Sequence, residues 1–329
     1  METWKTCKIL DLGEVVGGAT PSTKNPENYD GGSIAWITPK DLSNFTGRYI
    51  SHGERYITQK GLKSCSTRLM PAHSVLFSSR APIGYVAIAA NEICTNQGFK
   101  SVIPNDNTNY LFLYYLLKYN RNNIENMGSG TTFKEVSGST MKNISVRVPE
   151  SYEEQKRIGL FLGAIDDKIE ENEQINKNLE QQAQLMYEQF VDGLQQSTIP
   201  ISDVIDVRDG THDSPKAVAE GYPLVTSKHL LSFGVDLTTP NKISKTDFDK
   251  VNERSKVNTN DILLSMIGTV GIVSLIIESP ITFAIKNVGL FKTSQTPELV
   301  YYILCYLKSN DTRQHIETSL AGSTQKYIS

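Results

Sequence analysis

Cysteine is scarce in this chain and never paired in sequence: Cys7, Cys65, Cys94 and Cys305 lie far apart, with no CxxC and no histidine at metal-ligand spacing. Neither a zinc site nor a disulfide framework is indicated, and four reduced, buried thiols are expected. Long apolar runs are missing as well. Nothing approaches the roughly 18 residues of a membrane span, and the opening METWKTCKIL has neither the basic flank nor the apolar core of a signal peptide. A cytoplasmic protein with no membrane partner is the reading. The signatures of common catalysts are lacking too: no GxGxxG, no GxxxxGK(S/T), no Asn-Pro-Pro-Tyr-type methyltransferase motif, no HExxH and no GxSxG. His52, His73, His212, His229 and His315 are scattered, and only His212, beside Asp213 in DGTHDSP, resembles half of an acid-base pair. Adjacent residues in a turn usually serve as local hydrogen-bond partners, so no catalytic residue and no metal ligand is assigned.

Charge of one sign is also scarce overall, with a net value of −3, but the sum hides a segregation. From Glu150 to Gln196 there are 11 acidic against 4 basic side chains, a local charge of −7, whereas Met1 to Pro149 has 16 basic against 11 acidic, or +5. From Ser197 onward 13 basic side chains meet 14 acidic ones, or −1. The parts outside the acidic segment are thus mildly basic, which is compatible with a polyanionic partner held by local patches.

The acidic segment is the one long helical pattern in the chain, running from Ser151 to about Gln195. Ile158, Leu162, Ile165, Ile169, Leu179, Ala183, Met186 and Phe190 recur at steps of four and three, with Asn172 and Asn176 in the two remaining places: a heptad seam. Ser151 and Glu154 fit a capping box, and Pro149 lies just outside. At 1.5 Å per residue the helix would extend roughly 65 Å, about twice what a small domain needs, so it is expected to be a spacer between globular parts. Such an apolar stripe needs a cover. Asp166 and Asp167 are expected on its solvated face.

Elements before the helix return in the same order after it. PISDVIDVRDGTHDSP stands where KILDLGEVVGGATPS stood, GYPLVTSKHL where SIAWITPKDL stood, and ILLSMIGTVGIVSLI where VLFSSRAPIGYVAIA stood. TFAIKNVGLFKT answers EICTNQGFKSVI, and LVYYILCYLKSNDTRQHIETSLAGSTQKYIS answers YLFLYYLLKYNRNNIENMGSGTTFKEVSGSTMKNIS. The architecture is therefore α+β: two similar mixed α/β domains, 1–149 and 197–329, joined by a long coiled-coil-type helix over 150–196. Ser329 aligns with about Ser145, so a second long helix after the second domain is expected to be missing.

Both repeats place Lys, Arg, Asn, Gln, Ser and Thr in turns at equivalent positions. Asn and Gln pair with adenine, Arg and Lys with guanine, and Ser, Thr and backbone N–H groups with phosphate. The candidates for binding double-stranded DNA are Lys40, Arg80, Asn96, Gln97, Lys100, Thr131, Thr132 and Lys134, answered by Lys228, Ser265, Lys286, Asn287, Thr324, Gln325 and Lys326.

At this point the whole chain resembles the specificity subunit of a type I restriction-modification system. The WITPKDL and LVTSKHL strand ends, the SRAPIGYVAI and MIGTVGIVSL turns, the GSGTTFKEV and GSTQKYIS loops, and the run VPESYEEQKRIGLFLGAIDDKIEENEQ carry the resemblance. It implies two target-recognition domains, each reading half of a split DNA target, and a helix that sets the gap and docks methylation subunits. It further implies a non-catalytic chain with no cofactor of its own, since S-adenosylmethionine, ATP and Mg would be used by the methylation and restriction subunits. Ile158, Leu162, Ile165, Ile169, Leu179, Met186 and Phe190 are the expected subunit interface, covered by a partner or by the helix of another copy in a homodimer. Two other readings are a recognition subunit whose partner fuses methylation with cleavage, and a coiled-coil scaffold that binds no DNA.

Overall fold

In the computed structural model of the chain, residues 3–80, 82–130, 134–194, 198–321 and 327 are described. Contacts divide the molecule into units Met1–Asn172 and Glu173–Ser329, so that the long helix belongs partly to each. In chain order the first unit has β1 (Trp4–Lys8), β2 (Gly13–Gly17), β3 (Ile34–Ile37), α1 (Pro39–Ser43), β4 (Tyr49–Ile50), β5 (Arg55–Ile57) and α2 (Gln59–Lys63). There follow β6 (Val75–Ser79), β7 (Ile83–Ala89), β8 (Ile93–Thr95), β9 (Lys100–Pro104), α3 (Tyr110–Tyr119), α4 (Arg121–Asn126), α5 (Gly138–Asn143) and β10 (Ser145–Pro149). The spacer is α6 (Tyr152–Asp192), a single helix of 41 residues.

The strands form a five-stranded sheet in the order β2-β9-β6-β7-β4, a three-stranded sheet β5-β3-β8, and the pair β1-β10. Helix α3 lies over the larger sheet. Its N-terminus is held by Asn109, whose Oδ1 accepts from the backbone N–H of Leu111 and Phe112 at 3.1 Å each. Leu113 and Leu117 of this helix are fully buried with Phe77, Val75 and Val102 of the sheet.

The second unit repeats the plan with β11 (Val207–Asp209), β12 (Tyr222–Val225), β13 (Lys242–Ile243), α7 (Lys245–Ser255), β14 (Ile262–Ser265) and β15 (Val273–Leu275). It ends with β16 (Ala284–Ile285), β17 (Val288–Phe291), α8 (Val300–Lys308) and α9 (Asn310–Thr318). Its sheets run β11-β17-β14-β15 and β13-β12-β16, the orders of β2-β9-β6-β7 and β5-β3-β8 with the labels exchanged. Register agrees as well. Strands β3 and β8 are parallel with Ile37 opposite Thr95, and β12 and β16 are parallel with Val225 opposite Ile285. The duplication read from the order of elements is thus a duplication of strand pairing.

The face by which α6 meets the first unit differs from the expected seam. Glu154, Gln155, Gly159 and Gly163 are its buried residues. Gln155 accepts from the Asn109 N–H at 3.0 Å and donates to the Pro149 carbonyl at 3.2 Å. A Cβ at Gly159 would come within 2.9 Å of the Phe112 backbone nitrogen, and one at Gly163 within 2.9 Å of the Arg48 guanidinium. Arg48 uses that space to donate to the Gly163 carbonyl at 2.9 Å and to pair with Asp167, while Tyr115 donates to Asp166 at 2.8 Å. Asp166 and Asp167 therefore tie the helix to the unit instead of only facing water. Seam residues Ile158 and Leu162 are half-buried, whereas Ile165, Ile169, Leu179, Met186 and Phe190 stay between 45% and 71% exposed.

In the second unit, α8 meets the far part of α6 through the Tyr187–Tyr302 edge contact, with ring centroids 5.4 Å apart, and the Lys308–Glu180 ion pair at 3.6 Å. All four thiols are free, as expected, but only Cys94 is buried; Cys7, Cys65 and Cys305 are partly open to solvent.

Candidate nucleic-acid interface

Parallel pairing brings the carboxyl ends of β3 and β8 to one edge of the first unit, so the loops after Ile37 and Thr95 lie side by side. After Ile37 the chain turns into α1 through a reciprocal cap. Asp41 accepts from the Thr38 N–H at 2.7 Å and from the Thr38 hydroxyl at 2.6 Å, which leaves Lys40 pointing out, 79% exposed and 2.9 Å from Glu54. After Thr95, Asn96 folds back to accept from the Gly98 N–H at 2.8 Å. Only a glycine fits there, because a Cβ would lie 2.7 Å from the Pro39 ring. Arg80 arrives from the end of β6 and is bridged by its backbone to Glu135. These residues enclose a cavity of about 470 Å³ lined by Thr38, Pro39, Lys40, Arg80, Asn96, Gly98, Lys134 and Glu135.

Four of the candidates named from sequence, Lys40, Arg80, Asn96 and Lys134, thus converge. Lys100 is next to them, 3.5 Å from Glu135, and Arg80 is 3.9 Å from the same carboxylate. Gln97 is exposed and accepts from the Thr20 hydroxyl. Thr131 and Thr132 lie outside the described residues.

At the same edge of the second unit the reciprocal cap is made by Thr226 and His229, with the Thr226 N–H donating to His229 Nδ1 at 2.9 Å. Burial, with Lys228 alongside, holds the His229 imidazole below its ordinary pKa. Lys228 is exposed in the turn. Lys286 and Asn287 follow β16 as Asn96 and Gln97 follow β8, and Asn287 takes a left-handed φ of 54°, which asparagine tolerates better than most side chains. Lys286 donates to Ser214 at 2.5 Å, and Asn287 Oδ1 lies 2.9 Å from His212 Nδ1. His212 Nε2 faces Asp209 at 2.7 Å, and Arg254 pairs with the other Asp209 oxygen. Burial pushes the Asp209 carboxyl up, but the His212 hydrogen bond and the Arg254 charge outweigh it and hold the group below the usual carboxylate range.

Two hollows flank this chain of groups. One, of about 630 Å³, is largely apolar and includes Leu264, Met266, Ile267, Phe291 and Tyr327; the other, of about 610 Å³, is of mixed character and includes Ser214, Asp247, Lys250 and Arg254.

Ser265 is placed differently from its expected role. It is fully buried, and its hydroxyl accepts from the Ile272 N–H at 2.7 Å, as Ser78 accepts from the Tyr85 N–H at 2.8 Å. Both serines brace a hairpin from inside. The counterpart of Arg80 is Ile267, which bridges Tyr327 as Arg80 bridges Glu135. Asp213 does not pair with His212; its N–H donates to the Thr211 hydroxyl at 3.1 Å. Thr324, Gln325 and Lys326 lie outside the described residues.

Thr20, Glu135, Asp209, Ser214 and Arg254 were not singled out from sequence. For Thr20 and His212 a signal existed, since GGAT and DGTH occupy the same place in the repeat. Among the described residues no group of His, Cys, Asp and Glu could hold a metal ion.

A family model described as Type I restriction modification DNA specificity domain matches residues 1–181. The chain is 36% identical over 352 residues to the type I restriction enzyme MjaIX specificity subunit of Methanocaldococcus jannaschii, an alignment that covers 99% of this chain and 80% of that protein. The chain belongs to the type I specificity-subunit family. The EcoR124I/EcoR124II specificity subunit of Escherichia coli is 30% identical over 171 residues, 50% of this chain and 40% of that protein. The fold agrees with the crystal structure of the type I S subunit from M. genitalium, with a TM-score of 0.55 at 15% identity over 99% of this chain and 85% of that one. As in a specificity subunit, two mixed α/β domains are joined by a long helix, and each carries its polar strand-end loops on the same structural frame.

Proposed function

We propose that this chain is the DNA-recognition subunit of a type I restriction-modification complex, in which each domain reads one half of a split target in double-stranded DNA. The observation that carries the reading is the duplicated strand edge: Lys40, Arg80, Asn96, Gln97, Lys100 and Lys134 in one unit answer to Lys228, Lys286 and Asn287 in the other. Cations there grip phosphate, and amides and guanidinium groups read base edges. Thr131, Thr132, Thr324, Gln325 and Lys326 complete the proposed contact set.

The recognition domains are 1–149 and 197–329, with the spacer helix over 150–196 between them. The helix docks the methylation subunits along its exposed seam of Ile165, Ile169, Leu179, Met186 and Phe190, or pairs with the helix of a second copy. Ile158 and Leu162 add to that face from a hollow of about 610 Å³ shared with Trp4, Tyr115 and Tyr119. The chain itself is non-catalytic. S-adenosylmethionine, ATP and Mg are used by the methylation and restriction subunits, and the complex works in the cytoplasm.

The test is co-expression of the chain with its methylation subunit, followed by mapping of methylated adenines in host DNA. A new two-part motif with a fixed gap is expected. Absence of new methylation with both proteins soluble and associated would sink the proposal.

A further inference from the structure

Two loops, 192 positions apart in the chain, make the same crossing (Thr20 to His212). In the first unit Gly18 passes so close to β8 that a Cβ would lie 2.1 Å from the Thr95 carbonyl, and the next residue, Ala19, donates its N–H to that carbonyl at 3.0 Å. In the second unit a Cβ on Gly210 would lie 2.8 Å from the Ile285 carbonyl, and Thr211 donates to it at 3.2 Å. The residue after that is Thr20 in one case and His212 in the other. Each reaches the amide oxygen of the residue two positions beyond the crossed strand: Thr20 donates to Gln97 Oε1, and His212 Nδ1 faces Asn287 Oδ1 at 2.9 Å.

We propose that Thr20 and His212 are specificity-determining positioning residues, which set the orientation of the reading amides of Gln97 and Asn287. The proposal rests on the reading of the two units as DNA-recognition domains. An amide has a donor side and an acceptor side, and rotation by half a turn exchanges them. With the oxygen turned inward to the Thr20 hydroxyl, or to a His212 ring that carries hydrogen on both nitrogens and donates to Asp209 as well, the NH₂ is left for the base. A donor-bearing group in the major groove fits the acceptors of guanine, N7 and O6, or the O4 of thymine, whereas adenine calls for a donor and an acceptor together.

The clamp is not a core-building contact. Thr20, Gln97 and His212 are exposed and Asn287 is half-buried, so the sheets do not depend on them. In the second unit the clamp has its own support, because Asp209 holds the other ring nitrogen of His212 at 2.7 Å and Arg254 pairs with Asp209.

The experiment is selection of bound sequences from randomised duplex DNA by the full chain in complex with its methylation subunit. It compares the wild type with Thr20→Val and His212→Leu, which remove the contact, and with Thr20→Ser and His212→Asn, which keep a donor in place. Thr20→Val is expected to change the preferred base at one position of one half-site, relaxing discrimination roughly tenfold and admitting adenine. His212→Leu is expected to do so at one position of the other half-site, and the conservative variants to retain the wild-type motif. If the wild type selects a split motif and Thr20→Val and His212→Leu select it unchanged, the clamp is refuted while DNA reading stands. Loss of both half-sites from either single change also refutes it, because the effect is then not local. A wild type that selects no motif overturns the reading on which the clamp rests.

Discussion

Single residues in this protein are set by what must stay unprotonated or paired inside each unit. His229 accepts the Thr226 N–H through Nδ1, and its Nε2 has no partner among the described residues, so the neutral ring is the form that fits. Burial keeps its pKa below the ordinary 6.5, which means that in the window below 6.5 the unfolded chain takes up a proton that the folded chain resists. Stability from this group is full above 6.5 and is lost as pH falls towards the folded value. The expected outcome is a denaturation midpoint that drops with falling pH in the wild type and drops less in His229→Asn, whose amide oxygen can still accept from Thr226. Lys292 is a sharper case. Its ammonium pairs with Asp261 and donates to the Lys256 carbonyl at 3.0 Å, with the lysine and aspartate side chains only 4% and 0% exposed. Lys292→Met leaves that carboxylate uncompensated and is expected to cost about 3–5 kcal/mol in chemical denaturation.

Elements show where sequence periodicity informs and where it does not. The long helix was legible because an unbroken heptad pattern, a capping serine and the lack of proline all point to one structure. Its docking face was not, because close approach is marked by missing side chains, Gly159 and Gly163, whereas hydrophobic periodicity tracks only those that are present. Glycine within a helix costs roughly 0.5–1 kcal/mol relative to alanine, so propensity alone favours Gly159→Ala. Contact predicts the opposite sign: the new methyl would lie 2.9 Å from the Phe112 nitrogen, and the variant is expected to lose about 1–3 kcal/mol in thermal or urea unfolding. The seam behaves in the reverse way. Ile165→Ser with Ile169→Ser is expected to leave the unfolding midpoint nearly unchanged, since both residues are about half exposed, and to abolish co-purification with the methylation subunit or self-association in light scattering. Strand-end candidates such as Lys40 and Asn96 could be found because turns display polar groups. Ser265 could not be told from them, because its burial follows from the hairpin closing over it, and the Thr20–Gln97 contact joins residues 77 positions apart.

Over the whole molecule, the two units have separate hydrophobic cores, built in one case around Phe77 and Leu113 and in the other around Leu264 and Ile303. Each strand edge proposed to read DNA therefore rests on its own core. Phosphate contacts should act as independent increments, with log affinity falling against log salt by about 0.9 per contact. Lys134→Ala is expected to lower that slope by about 1 while leaving the preferred sequence as it was, whereas Arg80→Ala is expected to relax sequence at one half-site. Binding titrations at four or five salt concentrations check both. A change of slope in Lys134→Ala accompanied by a new motif would show that Lys134 reads bases.

The bridge between Arg80 and Glu135 matches that between Ile267 and Tyr327, a charged couple in one unit and an uncharged one in the other. The bridge is made by backbone, and Glu135 also faces Lys100 at 3.5 Å, so exchange of Arg80 alone leaves the carboxylate a partner and the strand pairing intact. The same backbone bridge thus carries a charged couple at one edge and an uncharged one at the other, so the frame holds while the chemistry it presents is free to change.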